Sequence, residues 1–509
     1  MAVDRKISDF SEIGNTKVLL EETFYVLSKK NSVFRVQLSA SGLCLLKESS
    51  DIVKKQTIHI KDIIGCQCMR SKRRSRSTAS CVCQSLPRTP ALKVVDENSS
   101  EQDETDTSAY LYIYAYILQN SRRGPKKRER TIITLRFRSF DKYEDNNREA
   151  QRWRSVIKNL MNGQHISKSP SLTEIIPSYN CDERKLLIFL NPKSGPGKGR
   201  LLFQQRVVPV LQEAEMQFDL HITKYANYAR EFVRTNNIYN WRGIILLGGD
   251  GILFETLNGI FERPDWIDVL QKIPIGIIPC GSGNGLARTI CHCYNEPYAP
   301  NPVLAAALAV VRKNSSPMDL VRVETTTKIM YSFLSIGWGF ISDIDIESER
   351  LRAIGGQRFT IWSVARLLDL RTYKGKLWYL PVGENIQISA LPQAFTGDTD
   401  NDIPEEVNLE TTDIATETRQ RLDSWYSATS RRSAYFSATG SSYQSMLDSS
   451  NGEHNNAHAP VPSHWKHIDG NFIMIHAAYQ THLGEDCFFA PNSRINDVLE
   501  HIWTRRMEI

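Results

Sequence analysis

The 509-residue sequence contains no apolar run long enough to cross a membrane. Its longest candidate, Val303 to Val311, has half of the ~18 residues that a membrane-spanning helix needs. The first residues, Met1 to Lys6, do not lead into an apolar segment, so we expect no secretory signal. The ten cysteines are then expected in a reducing compartment, and the predicted location is the cytoplasm.

Common metal and dinucleotide motifs are also missing. The C-x-C pairs Cys66/Cys68 and Cys81/Cys83 lack the zinc spacing C-x₂₋₄-C, which favours free thiols over a metal site. No Gly-x₄-Gly-Lys-Ser/Thr sequence is present, and Leu286 stands where a Gly-x-Gly-x-x-Gly motif needs its last glycine. These absences disfavour a Walker-type phosphate loop and a Rossmann dinucleotide site.

The composition is that of a folded globular chain, with 41% apolar and 24% charged residues. At ~150 residues per domain, the length predicts two to three domains. The formal charge of +6 is unevenly placed: Arg70–Arg76 and Arg122–Arg130 are basic, whereas Glu97–Asp106 and Asp398–Glu417 are acidic. Basic runs of this kind either meet an anionic surface or form solvated loops, and both alternatives stay open here. We expect no nucleic-acid partner.

The N-terminal part has the period-two alternation of short strands followed by the 3.6-residue period of one helix. The helix is predicted over Asn147–Met161, with Trp153 on its apolar face. This pattern resembles a pleckstrin-homology-like domain, predicted over 18–162, and the resemblance implies binding of phosphoinositides or proteins; a scaffold without a ligand is the alternative. The predicted strands are Phe24–Leu27, Val33–Leu38, Leu43–Leu46, Thr57–Ile60, Tyr110–Leu118 and Thr131–Phe137.

Apolar strands alternate with helical stretches after a polar linker at 163–182, which predicts a parallel α/β sheet over 183–317. The predicted strands include Lys185–Leu190 and Phe218–Thr223, and a helix is predicted over Tyr228–Thr235. Helical segments thin out after Met318, so an antiparallel lobe is expected over 318–497. Residues 385–460 are polar and without a period, which predicts a disordered insert, and 498–509 form a tail.

The turn Gly248-Gly249-Asp250-Gly251 follows the apolar run Ile244–Leu247 and opens the amphipathic segment Leu253–Leu257. The glycines allow positive φ and a close approach to a ligand, and the N–H groups of the following helix can bind phosphate. A tight turn with a solvated Asp is the alternative for this tetrapeptide alone. The sequence predicts a carboxylate held at a strand-to-helix turn.

Three further segments have the same placement at strand ends. Asn191–Gly199 follows the first strand of the α/β region and precedes a helix, so its N–H groups and Lys198 can face phosphates. Thr223 ends the next strand, and Pro279–Gly285 follows another. Ligands of open α/β sheets bind outside the carboxyl ends of the strands, so one nucleotide site is predicted there.

Together these loops resemble the lipid kinase catalytic domain shared by diacylglycerol kinases, ceramide kinase and sphingosine kinase, and more distantly NAD kinases. The segment Ser335–Glu349, followed by Arg352, Arg358 and Leu370–Gly375, resembles the sphingosine kinase signature. The likeness covers about 185–384 and 461–497. It implies an α/β three-layer nucleotide-binding domain joined to an antiparallel β-sandwich lobe.

The resemblance implies transfer of the ATP γ-phosphoryl group to the primary hydroxyl of sphingosine or a related long-chain base, with Mg²⁺ carried by ATP. Asp250 would be the general base, and Asp345 would meet the cationic amine, with Asp343 as its alternative. Access to such a substrate implies contact with a membrane surface. The implied ATP-binding set is Asn191, Pro192, Lys193, Gly195, Gly197, Lys198, Thr223, Asn227, Gly248, Gly249, Gly281, Ser282, Gly283, Asn284, Arg352 and Arg358, and the substrate-binding set is Gly251, Ser335 and Asp345.

Two departures from the family pattern bear on this interpretation. Gly248 replaces the Ser commonly found before Gly-Asp-Gly in sphingosine kinases. After Asn496 the family continues with more strands and a late Asp-Gly-Glu segment, so we expect a C-terminally truncated chain, an incomplete lobe and exposed strand edges. The alternatives are a truncated non-catalytic regulatory or membrane-binding isoform, and a ceramide or diacylglycerol kinase.

Overall fold

A computed structural model describes most of the chain as three units that contact one another. Here the N-terminal unit is the described part of 17–166, the parallel-sheet unit that of 182–313, and the antiparallel unit that of 318–506. The described residues are 17–26, 32–47, 54–72, 94–119, 124–166, 182, 184–195, 197–281, 283–325, 327–348, 357–380, 461–484, 487–496 and 501–506. Cys81, Cys83 and the predicted insert at 385–460 lie outside them.

The N-terminal unit contains two antiparallel four-stranded sheets, with strand orders β1-β2-β3-β4 and β6-β5-β7-β8, and a closing helix. Helix α1 begins one turn earlier than the periodicity predicts, and its Trp153 packs in the core against Phe24 and Phe137. The elements are β1 (Val18–Val26), β2 (Ser32–Ser39), β3 (Gly42–Lys47), β4 (Lys54–His59), β5 (Ile63–Ser71), β6 (Val94–Asp96), β7 (Ala109–Gln119), β8 (Lys127–Phe137) and α1 (Tyr143–Met161).

Strand β5 was not predicted, because its first four residues are all buried and show no alternation. One face of the strand packs on α1. The other face meets the parallel-sheet unit, since a Cβ added at Gly65 would lie 1.9 Å from the carbonyl oxygen of Glu213. The thiols of Cys66 and Cys68 on this strand are free, and burial raises the pKa of Cys66 to about 12.

The parallel-sheet unit has the strand order β10-β9-β11-β12, with every neighbouring pair parallel. Alternate residues of β9 pack into two different helical layers: Leu187 and Phe189 on one face, Ile188 and Leu190 on the other. The sheet is therefore covered on both faces, which explains its continuous apolar strands. The strands are β9 (Leu186–Leu190), β10 (Phe218–Ile222), β11 (Gly243–Gly248) and β12 (Ile275–Pro279).

Helices connect these strands, and the predicted helix over Tyr228–Thr235 is confirmed as α4. The predicted helix after the first strand is also present, as α2 and α3 joined by a π-helical turn at Phe203–Val207. The helices are α2 (Gly199–Leu202), α3 (Val208–Glu213), α4 (Tyr228–Thr235), α5 (Asp250–Phe261), α6 (Trp266–Lys272), α7 (Gly285–Cys293) and α8 (Pro302–Val311). None of the described helices is long and apolar enough to span a bilayer.

The antiparallel unit is built around the long strand β17, which pairs with β15, β16 and β20. Two helices that were not predicted from the sequence, α9 and α10, follow β15. The elements are β13 (Val321–Glu324), β14 (Ile329–Ser332), β15 (Ser335–Gly339), α9 (Phe340–Ser348), α10 (Gln357–Leu368), β16 (Tyr373–Tyr379), β17 (Lys466–Ala478), β18 (His482–Gly484), β19 (Cys487–Phe488) and β20 (His501–Arg506).

The C-terminal segment contains a strand that was not predicted from the sequence. The segment predicted as a divergent tail at 498–509 contributes β20, which pairs antiparallel with β17 from Phe472 to Ala478. This stretch of β17 also pairs with β15, so β20 occupies its second edge. Along this stretch β17 is paired on both edges, and the expectation of an incomplete lobe stays a prediction.

Candidate active site

Three loops meet at the carboxyl edge of the parallel sheet. They are the first glycine loop (Asn191–Lys198) after β9, the Asp250 turn (Gly248–Gly251) after β11, and the second glycine loop (Cys280–Asn284) after β12. Backbone hydrogen bonds join them: Asn191 N–H donates to the Leu247 oxygen at 3.0 Å, and Cys280 N–H to the Gly248 oxygen at 3.0 Å. The predicted convergence of these loops follows from the parallel register of their strands.

The Asp250 carboxylate is buried, with 4% of the residue exposed, and it lies at the junction of two helices. Asp250 is the first residue of α5, and its two oxygens accept the N–H groups of Gly285 and Leu286, each at 3.0 Å. These two residues begin α7. The carboxylate therefore binds the positive end of a helix dipole and is held in one orientation.

Glycine is required where the two glycine loops approach their neighbours. A Cβ at Gly281 would lie 2.4 Å from the Cα of Gly249. Gly195 has φ of +53°, and a Cβ there would lie 2.8 Å from the Cys280 oxygen. Side chains at these positions would push the loops apart.

Asn284 closes the second glycine loop in a left-handed conformation, with φ of 52°. Its side-chain oxygen accepts the N–H of Gly281 and its amide donates to the oxygen of the same residue, both at 3.1 Å. Gly283 is buried beside it. Asn tolerates this conformation because its short polar side chain can bond locally, so Asn284 has a structural role in the loop.

The first glycine loop places two lysines at the same edge. Asn191 is buried and its Oδ1 accepts the N–H of Lys193 at 2.9 Å. Gly197 has φ of +74°, and Lys198 directly precedes α2. Lys193 and Lys198 are exposed, so their ammonium groups can reach an anion, and Pro192 lies in the turn between Asn191 and Lys193.

Thr223 and Asn227 lie at the β10 end of the same edge. Thr223 N–H donates to the Leu190 oxygen at 2.9 Å, and Asn227 begins α4 with φ of 65°. Sequence reasoning missed a third residue here, Glu255, which is 5% exposed on α5. Burial raises the pKa of Glu255 to about 7, although the Asn227 N–H and Arg230 favour its ionised form. The sequence signal for this residue was a glutamate among the apolar positions of the segment that forms α5.

Glu255 is expected to make stability depend on pH. The folded pKa of about 7 lies above the ordinary value of 4.5, so its contribution is fully present below about pH 4.5 and is lost as the pH rises through 7. The loss should be on the order of 3 kcal/mol at ~1.4 kcal/mol per pKa unit. We expect urea unfolding at pH 5 and pH 8 to show this loss of stability in the parent and not in Glu255→Gln. The exposed Glu144→Gln is the control, and an unchanged pH dependence in Glu255→Gln would contradict the assignment.

Gly248, the residue that departs from the family's Ser, fits its surroundings in this chain. A Cβ at Gly248 would lie 2.9 Å from Cγ2 of Ile252 and 3.2 Å from Oγ of Ser194. The glycine therefore makes room for the β-branched side chain at the first turn of α5.

Gly248→Ser is expected to destabilise the protein by about 1–3 kcal/mol through overpacking. Ile252→Leu in the same chain should restore much of the loss, because leucine has no methyl branch at Cβ. Thermal unfolding of the single and double variants measures both effects. A Gly248→Ser variant as stable as the parent would show that the contact is relaxed at no cost.

The expected acceptor side lies in the antiparallel unit. Ser335 begins β15 and pairs with Ala478, and α9 carries both candidate acids, Asp343 and Asp345. The Tyr373 hydroxyl donates to Asp343. Gly251 is the second residue of α5, and Arg358 lies in α10. Ser282 and Arg352 lie outside the described residues.

The antiparallel unit is fastened to both helices that hold Asp250. On α7, Thr289 Oγ1 accepts the N–H of His482 at 3.2 Å and the hydroxyl of Thr481 at 3.3 Å. On α5, the Asn258 side chain bonds both the N–H and the oxygen of Tyr331, at 2.9 and 3.0 Å. These contacts fix the antiparallel unit to α5 and α7, the two helices at whose junction Asp250 lies.

Comparison with known proteins gives the family of the chain. Residues 185–323 match the family model of the diacylglycerol kinase catalytic domain. Human sphingosine kinase 1 is 34% identical over 325 residues, which cover 63% of this chain and 71% of that protein. The chain belongs to the sphingosine kinase family. The predicted family is therefore confirmed.

For two other relatives, the match covers less than half of the relative's length. Human sphingosine kinase 2 is 40% identical over 280 residues, so this chain spans 42% of that member of the family. Sphingosine kinase 1 of Arabidopsis thaliana is 37% identical over 39% of this chain and 40% of its own. A solved diacylglycerol kinase structure from Bacillus anthracis covers 64% of this chain and 76% of its own, at 15% identity and a TM-score of 0.34.

Proposed function

We propose that this protein transfers the γ-phosphoryl group of ATP to the primary hydroxyl of sphingosine or a related long-chain base, giving the 1-phosphate. The observation that carries the proposal is the meeting of two glycine loops and the buried Asp250 at one sheet edge, in a chain of the sphingosine kinase family. Phosphoryl transfer needs positioning and charge placement more than a strong base, and these loops supply both.

Asp250 acts in this proposal as general base for the acceptor hydroxyl. Its two carboxylate oxygens accept the N–H groups of Gly285 and Leu286, and an ionised carboxylate only accepts hydrogen bonds, as a base for a hydroxyl proton must. Because both bonds come from the start of α7, the carboxylate does not need to reorganise when the acceptor arrives.

ATP binds across the carboxyl edge with its phosphates toward the glycine loops. The free N–H groups at the start of α2, with Lys193 and Lys198, supply donors and positive charge. Arg352 and Arg358 are assigned to the phosphates by their place in the family motif. The metal enters as part of Mg-ATP: among the residues that the structure describes, no three His, Cys, Asp or Glu side chains are grouped to hold an ion.

The acceptor amine is assigned to Asp345. A long-chain base is cationic, whereas ceramide and diacylglycerol are not, so a carboxylate beside the acceptor distinguishes them. Asp345 is assigned by its place in the family motif, and Asp343, which accepts the Tyr373 hydroxyl, is the alternative. Ser335 and Gly251 complete the proposed acceptor site.

Phosphate transfer from labelled Mg-ATP to sphingosine, ceramide and diacylglycerol tests the proposal. We expect transfer to sphingosine, and a KM for sphingosine about 10- to 100-fold higher in Asp345→Asn, the cost of a charge-assisted hydrogen bond. Asp343→Asn should change this KM much less. Transfer to a neutral acceptor that is indifferent to Asp345→Asn would instead support a ceramide or diacylglycerol kinase, and no transfer to any acceptor would refute the lipid kinase activity.

Peripheral contact with a membrane, from the cytoplasm, follows from such a substrate. One face of α10 exposes Ile361, Val364 and Leu368, with 49%, 53% and 86% of each residue exposed. Ile346 on the neighbouring α9 adds 62% exposure. An apolar helix face of this kind can lie in the headgroup region. Equal co-sedimentation of the parent and Leu368→Glu with liposomes would contradict this assignment.

The N-terminal unit is assigned to the pleckstrin-homology-like class. Its support is two antiparallel four-stranded sheets closed by one C-terminal helix with a buried Trp153. This proposal also includes the domain limits 18–162, 183–317 and 318–497. It gives the last of these domains a β-sandwich form.

A further inference from the structure

The N-terminal unit packs against α3 and α8 of the parallel-sheet unit through a shared apolar cluster. Ile64, Tyr114 and Tyr116 are buried together with Leu211 of α3 and Val311 of α8. The Gln67 side chain also donates to the carbonyl oxygen of Gln212 at 3.2 Å.

A buried charge cluster crosses the same interface. Arg128 donates to Asp62 within its own unit and to both carboxylate oxygens of Glu296, at 2.7 and 3.0 Å, in the parallel-sheet unit. Arg312 donates to Glu296 at 2.8 Å. The side chains of Arg128 and Asp62 are 8% and 6% exposed, so the two arginines and two carboxylates must balance one another.

A second group of contacts holds the end of α3. Glu213 accepts the guanidinium of Arg130 at 2.6 Å and the Tyr116 hydroxyl at 3.1 Å. Two residues later, Glu215 accepts Arg154 at 2.9 Å and also pairs with Lys158, both on α1.

These contacts lie at the far ends of the helices that begin at the glycine loops. The helical stretch α2–α3 starts after Lys198 and ends at Glu213. Helix α7 starts after Asn284, and the turn that follows it carries Glu296, whose N–H donates to the Cys291 oxygen at 2.9 Å. A packed helix moves as a rigid element, so fixing its far end fixes the loop at its start.

We propose that the N-terminal unit is a positioning element that holds the two glycine loops at a set distance from each other. Arg128 holds the α7 side, and Arg130, Arg154 and Lys158 hold the α2–α3 side. The expected effect on ATP binding rests on the proposed kinase function. The expected effect on the positions of the glycine loops does not.

Amide hydrogen exchange of the full chain without ligands tests the loops directly. Arg128→Gln should increase exchange in 280–293, and Arg130→Gln in 197–213, by about fivefold or more. Helix α4, which packs against α5 of its own unit, is the internal control and should not change. Unchanged exchange in both loop segments, or an equal increase in α4, would overturn the proposal.

ATP kinetics and a charge exchange separate positioning from general destabilisation. Lys158→Glu should raise the KM for ATP by about fivefold while the KM for sphingosine stays constant, and adding Glu215→Lys should restore it. Arg148→Gln, which removes an exposed ion pair within α1, is the matched control. If hydrogen exchange responds as expected but the chain transfers no phosphate, the kinase function is refuted and the positioning role is kept. If the KM for ATP is unchanged in Lys158→Glu, coupling of the N-terminal unit to the nucleotide is refuted.

Discussion

Asp250→Asn is expected to lower phosphoryl transfer to sphingosine by about 10²- to 10⁴-fold, the usual contribution of a positioned general base. The amide cannot take a proton from the acceptor hydroxyl. It also keeps only one oxygen for the two N–H groups of Gly285 and Leu286 and presents an NH₂ group to the other. The rate constant kcat at saturating Mg-ATP and sphingosine measures the effect.

The same substitution should cost only about 1–2 kcal/mol of stability, because one hydrogen bond at the start of α7 is lost. Circular dichroism and thermal unfolding of Asp250→Asn therefore serve as the control for folding. A folded variant with kcat near that of the parent would rule out Asp250 as the base and leave it a purely structural role at the helix junction.

Gly281→Ala is expected to be the most damaging small substitution at the site. The added Cβ would lie 2.4 Å from the Cα of Gly249, and neither atom can rotate away, because the position of a Cβ is set by its own backbone. The second glycine loop must move off the Asp250 turn, so we expect binding of Mg-ATP to weaken by about 100-fold, since the cost of overpacking reaches about 3 kcal/mol. Isothermal titration with Mg-ATP measures this affinity.

Gly197→Ala is the matched control in the first glycine loop. Gly197 has φ of +74°, so alanine is strained there, but the nearest atom to its Cβ is the Pro192 oxygen at 3.8 Å. We expect a stability loss of about 1 kcal/mol with little change in ATP affinity. Equal losses of affinity in the two variants would show that loop strain, and not the separation of the loops, governs binding.

Local patterns in the sequence predicted much of the fold. The apolar runs that became β9 and β11 are buried on both faces, and continuous runs of this kind indicate a parallel sheet. Helices α9 and α10 were missed, because helical segments thin out after Met318 and the whole region was predicted as an antiparallel lobe. The strand at His501–Arg506 was missed because its place is fixed by pairing with β17.

The sequence by itself determined the family, the glycine turns and the place of Asp250 at a strand-to-helix junction, because these depend on residues adjacent in the chain. Only the tertiary structure decided that Asp250 binds the start of α7, that Glu255 is buried beside Asn227, and that Arg128 reaches Glu296. The partners in the first and third of these contacts are 35 and 168 residues apart. Local periodicity contains no information about such distances, since packing between units brings the partners together.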